Sequence, residues 1–257
     1  MDHHKAPASR HLPATLLASL VFVAGCATVG EIDSMGGSEF QKIRAQTPVS
    51  DDAGLRAYVG CVADAIIAEL PEPYAYRNWE LEIFDSEEVN AFALPGGHIG
   101  IYTGLLAVAG NQDQLAAVIG HEIAHVTEQH ALKRYNREAA TRIGVTGVAI
   151  ATGTGQAGAD LLGMATSLGL SLPFSRGEES EADTVGLHYM AAAGFDPRQS
   201  VALWQSMEKN SKLRPPELLS THPSSEHRIS DLIAELPEAL ATSNAARAAG
   251  KDPQCRR

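Results

Sequence analysis

The feature that most constrains this chain is the pentapeptide His121-Glu122-Ile123-Ala124-His125, set in helical periodicity from roughly residue 111 to residue 134. Positions four apart share a helix face, so His121 and His125 can offer imidazole nitrogens to one metal ion. Glu122 falls beside such a metal rather than on it. There it can take a proton from a water that zinc has made acidic. Leu115, Ala116, Val118, Ile119, Ile123 and Val126 flank the histidines, which places the segment against a core rather than on a solvated face.

A catalytic zinc ion with two histidines wants a third protein ligand and one open position. A third histidine six residues after the second is one solution, the metzincin pattern. Here position 131 is Ala, position 128 is Glu, and His130 is one residue out of register. The other solution is a carboxylate on a later helix, and residues 174–183 supply several. Glu179 and Asp183 sit four apart and face the same way, so one can bind metal while the other accepts the free N–H of a zinc histidine. Glu178 and Glu181 compete for those roles, and an acidic helix start that only serves the dipole would look the same.

The 257 residues are 44% hydrophobic and 20% charged, which suits one globular domain with a sizeable core. Residues 1–25 are set apart from it. Lys5 and Arg10 precede an apolar run over 14–25, long enough for a signal peptide and too short to span a bilayer. The run ends in Val23-Ala24-Gly25-Cys26, which resembles a bacterial lipobox, so Cys26 is the expected lipidated first residue of the mature chain. Ala27 follows in place of the aspartate that marks inner-membrane retention, which points to the periplasmic face of the outer membrane. A net charge of −11 argues against nucleic acid and against polybasic membrane binding, leaving the lipid as the anchor. Cys61 and Cys255 are expected to form a disulfide in an oxidising compartment, tying the tail to an early helix.

Residues 26–50 contain Gly36-Gly37-Ser38 and are expected to tether the anchor to the domain, 51–238. Asp51-Asp52 opens an amphipathic helix to about residue 70, and 79–84 alternates with period two, as a strand does. Residues 90–102 predict a hairpin around Pro95-Gly96-Gly97. Its glycines either serve only that turn or also let a peptide approach an edge strand at Asn90, Ala91, Phe92 and Ala93 or at 98–102. Residues 143–172 hold seven glycines and predict a helical hairpin over the cleft. A helix from 224 to 236 is followed by a tail, 239–257, frayed unless Cys255 holds it. The expected fold is α+β: mostly helical, zincin-like, with a small antiparallel sheet whose edge strand lies above the helix carrying His121 and His125.

Four blocks, NAFALPGGHIGIYTGLL (90–106), HEIAHVTEQH (121–130), FSRGEESEAD (174–183) and THPSSEHRI (221–229), occur in this order. As an ordered set they resemble the gluzincin metallopeptidases of the HtpX, BepA/LoiP and CAAX-prenyl-protease group. Without the long transmembrane helices or tetratricopeptide extension of some members, the chain is most similar to short outer-membrane lipoproteins such as LoiP. The resemblance implies one zinc ion per chain held by His121, His125 and Glu179, with Asp183 behind a ligand and His222 and Arg228 near the reacting carbonyl. It implies an endopeptidase for misfolded or misassembled envelope proteins, with outer-membrane assembly machinery or other proteases as partners. The rival expectation is a client-binding chaperone or assembly factor with a latent, self-inhibited zinc site. Neither the cleavage preference nor the natural substrate is legible in these residues.

Overall fold

Three strands form the sheet of this computed structural model, which describes residues 27–152, 173–211, 217–222 and 227–257. β2 (Ala91–Leu94) and β3 (His98–Tyr102) make the expected antiparallel hairpin, while β1 (Glu80–Phe84) lies parallel to β3 on its other side. The sheet is therefore mixed, not antiparallel. Period-two alternation reveals which face a strand buries but not which neighbour it pairs with or in which direction. At the hairpin turn Gly97 N–H bonds Leu94 O at 3.2 Å, with Gly96 at φ 95° and Gly97 at φ 88°. Both are left-handed values that glycine adopts without strain.

The order β1-β3-β2 makes β3 the central strand, so 98–102 has no edge to offer a peptide. The outer side of β1 is partly covered by an antiparallel bridge between Val49 and Phe84. The outer side of β2 pairs with no strand among the described residues. Tyr102 N–H bonds Asn90 O, so the hydrogen-bonded pairs with β3 fall at Asn90, Phe92 and Leu94. The main-chain groups of Ala91 and Ala93 are thereby directed to the free edge.

Each face of the sheet is covered differently. Ile83, Ile99, Ile101 and Ala91 join the main core with Val59, Val62 and Ile66 of α2 (Ala53–Ile67) and the apolar side of α4 (Gln112–Thr127). The opposite face carries Phe84, Phe92, Leu94 and Tyr102, sealed by Phe40 of α1 (Val29–Gln46). This corrects the expected tether. Residues 29–46 are helical, opened by a reciprocal cap between Thr28 and Glu31, and Phe40 sits 6.3 Å, centroid to centroid, from both Phe84 and Phe92. Gly36 lies against the Pro95 carbonyl, where a Cβ would have no room. A glycine read as linker is a packing contact.

After β3 come α3 (Thr103–Val108), then α4 and α5 (His130–Thr152). The helix expected to run unbroken to residue 134 is interrupted at Gln129, whose φ of 55° turns the chain before His130. α6 (Arg176–Ala192) crosses α4 where glycine meets glycine. A Cβ on Gly120 would stand 2.7 Å from Gly186 O, and one on Gly186 would stand 2.6 Å from His121 N. This close crossing puts the acids of α6 within reach of the histidines of α4.

α7 (Arg198–Ser211), α8 (Glu217–Thr221) and α9 (Arg228–Ala248) complete the chain. α9 passes through Pro237 instead of stopping before it; the missing N–H would face the carbonyl of Ile233, a half-exposed residue whose oxygen water can serve. The tail is pinned, not frayed. Gln112 donates to Pro253 O at 2.8 Å and accepts from Cys255 N–H at 2.7 Å, and Cys255 is disulfide-bonded to Cys61 with Cα atoms 5.7 Å apart. Among the described residues no helix is long and apolar enough to cross a membrane. The expected leader, Cys26 and the 153–172 part of the glycine-rich hairpin lie outside the described residues.

Candidate metal and active site

α4 begins at Asn111, whose side chain accepts from Gln114 N–H, and every residue from Leu115 to Val126 is buried. Its site residues thus enter the core on a rigid element. His121 Nε2 lies 3.1 Å from His125 Nε2 and 3.1 Å from His222 Nδ1. Glu179 of α6 completes the group, with Oε1 3.0 Å from His222 Nδ1 and 3.7 Å from His125 Nε2. One ligand atom from each of His121, His125, Glu179 and His222 lies within 4.8 Å of the others, and all four residues are buried. Three imidazole nitrogens and a carboxylate oxygen converging in a core are a nitrogen-and-oxygen donor set of the kind zinc takes.

The electrostatics agree with a cation there. Burial alone would lower the pKa of His121, yet hydrogen bonds to Asp183 and Glu179 raise it to about 9. A negative field that holds a proton on a buried imidazole will also hold a divalent ion. Burial pushes Glu179 up, but His121 and His222 outweigh it and keep the carboxylate far below its usual range. Burial, reinforced by the charges of His121 and His222, holds His125 well below its usual value and so neutral, as a ligand must be.

Glu122 projects from the same helix without joining the donor set. Burial raises its pKa, opposed by His222 and His121 and by an N–H from Ala93. Its Oε1 is buried without a hydrogen-bond partner, 3.4 Å from His222 Nε2. A raised carboxylate with a bare acceptor atom beside a metal set is placed as a general base would be. Ala93 ties it to the free edge of β2, so base, donor set and strand edge form one unit. Asn90, Ala91 and Phe92 make no hydrogen bond to the donor set among the described residues.

The acids of α6 divide the work that the sequence left open. Glu178 closes a capping box with Ser175 and pairs with Arg137 at 3.0 Å. Glu179 joins the donor set, and Glu181 accepts from His130 at 2.9 Å. Asp183 Oδ1 faces His121 Nδ1 at 3.0 Å, which leaves His121 Nε2 as the nitrogen with a free lone pair. Arg228 enters the site from the start of α9. Its guanidinium grips Asp183 at 2.6 and 2.7 Å, reaches Glu179 Oε2 at 2.9 Å, and stacks over Trp204 at 4.1 Å. Bound to two carboxylates and 3% exposed, it neutralises the wall of the site.

Two contributors went unrecognised in the sequence. His130, set aside for its spacing, lies 2.8 Å from His125 through their Nδ1 atoms. Phe174 stacks on the His125 ring at 3.9 Å and holds the Arg134 guanidinium at 4.4 Å on its own face. The signal for Phe174 was its place at the head of the acidic block; nothing in the local pattern marked it as a ring against the metal set.

The family model described as Peptidase family M48 matches residues 54–236, which covers the sheet, the donor set and the start of α9. Mitochondrial metalloendopeptidase OMA1 of Schizosaccharomyces pombe is 37% identical over 163 residues, 63% of this chain and 48% of that protein. The beta-barrel assembly-enhancing proteases of Escherichia coli K12 and Yersinia pestis are each 30% identical, over 79% and 77% of this chain and 43% and 42% of their own length. The chain thus spans less than half the length of these relatives. A buried histidine pair on α4, a carboxylate from a crossing helix and a match over most of the chain lead to one conclusion: the chain belongs to Peptidase family M48.

Proposed function

We propose that this protein is a zinc endopeptidase of the bacterial cell envelope that hydrolyses misfolded or misassembled envelope proteins. The observation that carries the reading is the convergence of His121, His125 and Glu179 beside Glu122, under the free edge of β2. The chemistry zinc supplies at such a site is acidification of a water and polarisation of a scissile carbonyl. The protein's own residues do the rest. An extended peptide pairs with the outward main-chain groups of Ala91 and with the Ala93 carbonyl, the Ala93 N–H being held by Glu122. Glu122 takes the proton of the attacking water and passes it to the leaving amine. Asp183 and Arg228 hold His121 in one tautomer. Main-chain pairing carries little side-chain information, which suits unfolded clients. The name of the Escherichia coli and Yersinia pestis relatives supports a link to β-barrel assembly. The lipobox-like Val23-Ala24-Gly25-Cys26 supports attachment to the outer membrane through Cys26.

His222 favours a second, compatible reading. A closed zinc site has four protein ligands and an open one has three. With His222 Nδ1 in the donor set, this arrangement is closed, a self-inhibited resting state. His222 follows a five-residue helix, α8, whereas the other three donors sit on long core helices, so it is the donor that can leave. Degradation of casein by the zinc-loaded protein, abolished by chelator and by Glu122→Gln with zinc still bound, is the expected result. Full turnover by Glu122→Gln would remove the base. No turnover by either wild type or His222→Ala, with client binding intact, would make the protein a chaperone instead.

A further inference from the structure

We propose that His130 is a positioning residue that selects the orientation of His125, through a hydrogen-bonded relay Glu181–His130–His125 from the surface to the donor set. This rests on the zinc reading above.

The relay follows from proton accounting. His125 Nδ1 and His130 Nδ1 are 2.8 Å apart, and two bare lone pairs at that distance repel, so one nitrogen carries a proton. The other nitrogen of His125, Nε2, points into the donor set, 3.1 Å from His121 Nε2. A ligating nitrogen has no proton, so the proton of neutral His125 sits on Nδ1 and His130 Nδ1 accepts it. The proton of His130 is then on Nε2, where Glu181 Oε2 accepts it at 2.9 Å. Every donor meets an acceptor and none is left over. The reverse assignment would put a proton on His125 Nε2 and forbid it from binding metal.

Packing cannot make this choice alone. Phe174 stacked on the His125 ring fixes its plane, yet a half-turn of the ring within that plane exchanges Nε2 for carbon at nearly the same volume. Only a directional partner at Nδ1 distinguishes the two. His130 meets that need from a fully buried position, delivered by the left-handed turn at Gln129 that starts α5 beside His125. The outer end, Glu181, has a side chain 44% exposed and lies 3.4 Å from Lys133. No other described residue joins His125 Nδ1 to the surface.

The test measures zinc affinity of the full chain by competition with a chromophoric chelator, together with nitrogen-edited spectra of the imidazoles. His130→Leu should weaken zinc binding roughly 10- to 100-fold. His130→Asn, whose amide oxygen can take the place of Nδ1 as acceptor, should restore most of that loss. Glu181→Gln should cost less than His130→Leu. Zinc-loaded wild type should show a proton on Nδ1 of His125 and on Nε2 of His130. Unchanged affinity in His130→Leu, a proton on Nδ1 of His130, or equal losses in the Leu and Asn variants with equally lowered metal-free melting temperatures would each overturn the relay. Zinc uptake by wild type is measured first: failure there sinks both readings, while uptake with indifferent variants sinks the relay alone.

Discussion

His121 and His125 have the same task, yet the molecule supports them in opposite ways. His121 Nδ1 lies 3.0 Å from Oδ1 of Asp183, a carboxylate sunk in the core and neutralised there by Arg228. His125 leans on a neutral histidine whose far side reaches an exposed Glu181. Geometry explains the difference. α6 passes closest to α4 at Gly120 and Gly186, so Asp183, one turn away, reaches His121 directly. His125 lies one further turn along α4, about 5 Å on, where α6 meets only its Nε2, through Glu179, and Nδ1 is met by His130. An internal charge cluster is a matter of global stability, whereas a neutral relay open to solvent is local to the metal. Breaking each should therefore have different symptoms.

The largest effect belongs to the inner support. Arg228→Met would leave Asp183 and Glu179 buried without their cation, and should destabilise the metal-free protein by about 3–5 kcal/mol in denaturant melts. A loss below about 1 kcal/mol would show that the carboxylates are relieved by water, and the contrast drawn between the two supports would fail.

Titration of the metal-free protein comes next. His121 is raised from 6.5 to about 9, so its contribution is full below pH 6.5 and disappears as pH climbs through 9. The size is on the order of 3 kcal/mol. Glu179 and Asp183 are depressed, so theirs is present above their ordinary range near pH 4 and disappears on acidification. Buried His125 acts in the opposite sense, since its depressed pKa costs stability as pH falls below its ordinary 6.5. The metal-free protein should therefore be most stable near pH 6.5 and weaken both toward pH 4 and toward pH 9. Zinc should flatten the alkaline limb and release a proton on binding below pH 9. Because Glu179 still raises His121 there, the limb should shrink in Asp183→Asn, and a limb of undiminished size would have another source.

Asp183→Asn itself should weaken zinc by roughly 10- to 100-fold, since an amide can still accept from His121 but leaves Arg228 half-paired. Unlike His130→Leu, it should also lower the metal-free melting temperature. Equal behaviour of the two variants would erase the distinction.

The sequence made the inner half of this comparison legible and hid the outer half. Residues four apart on a helix share a face, so His121 with His125 and Glu179 with Asp183 were visible as pairs. Which acid did what was not, because a capping box at Ser175 and a metal ligand both look like glutamate near a helix start. His130 was hidden by Gln129: a non-glycine residue in the left-handed region carries no pattern, and without that turn His130 points elsewhere on a continuous helix. The pairing of Arg228 with Asp183 and Glu179 was hidden as well, since sequence order does not reveal which carboxylate an arginine meets. Phe40 and Gly36 were lost for a similar reason, a glycine pair reading the same in a linker and in a helix pressed against a turn.

The smallest expected effect sharpens the outer end. Lys133 lies 3.4 Å from Glu181, and both side chains are nearly half exposed, 47% and 44%. A pair of that kind contributes about 0–1 kcal/mol and is screened by salt. If the relay depends on Glu181 accepting from His130, the lysine is a bystander, because Glu181 remains ionised and bonded without it. Lys133→Ala should change zinc affinity by less than about fivefold, the equivalent of 1 kcal/mol, and raised salt should change the wild type no more. Glu181→Gln should exceed both. A loss in Lys133→Ala as large as in His130→Leu would mean that the surface charge, not the buried imidazole, orients His125, and the two supports would then differ only in depth.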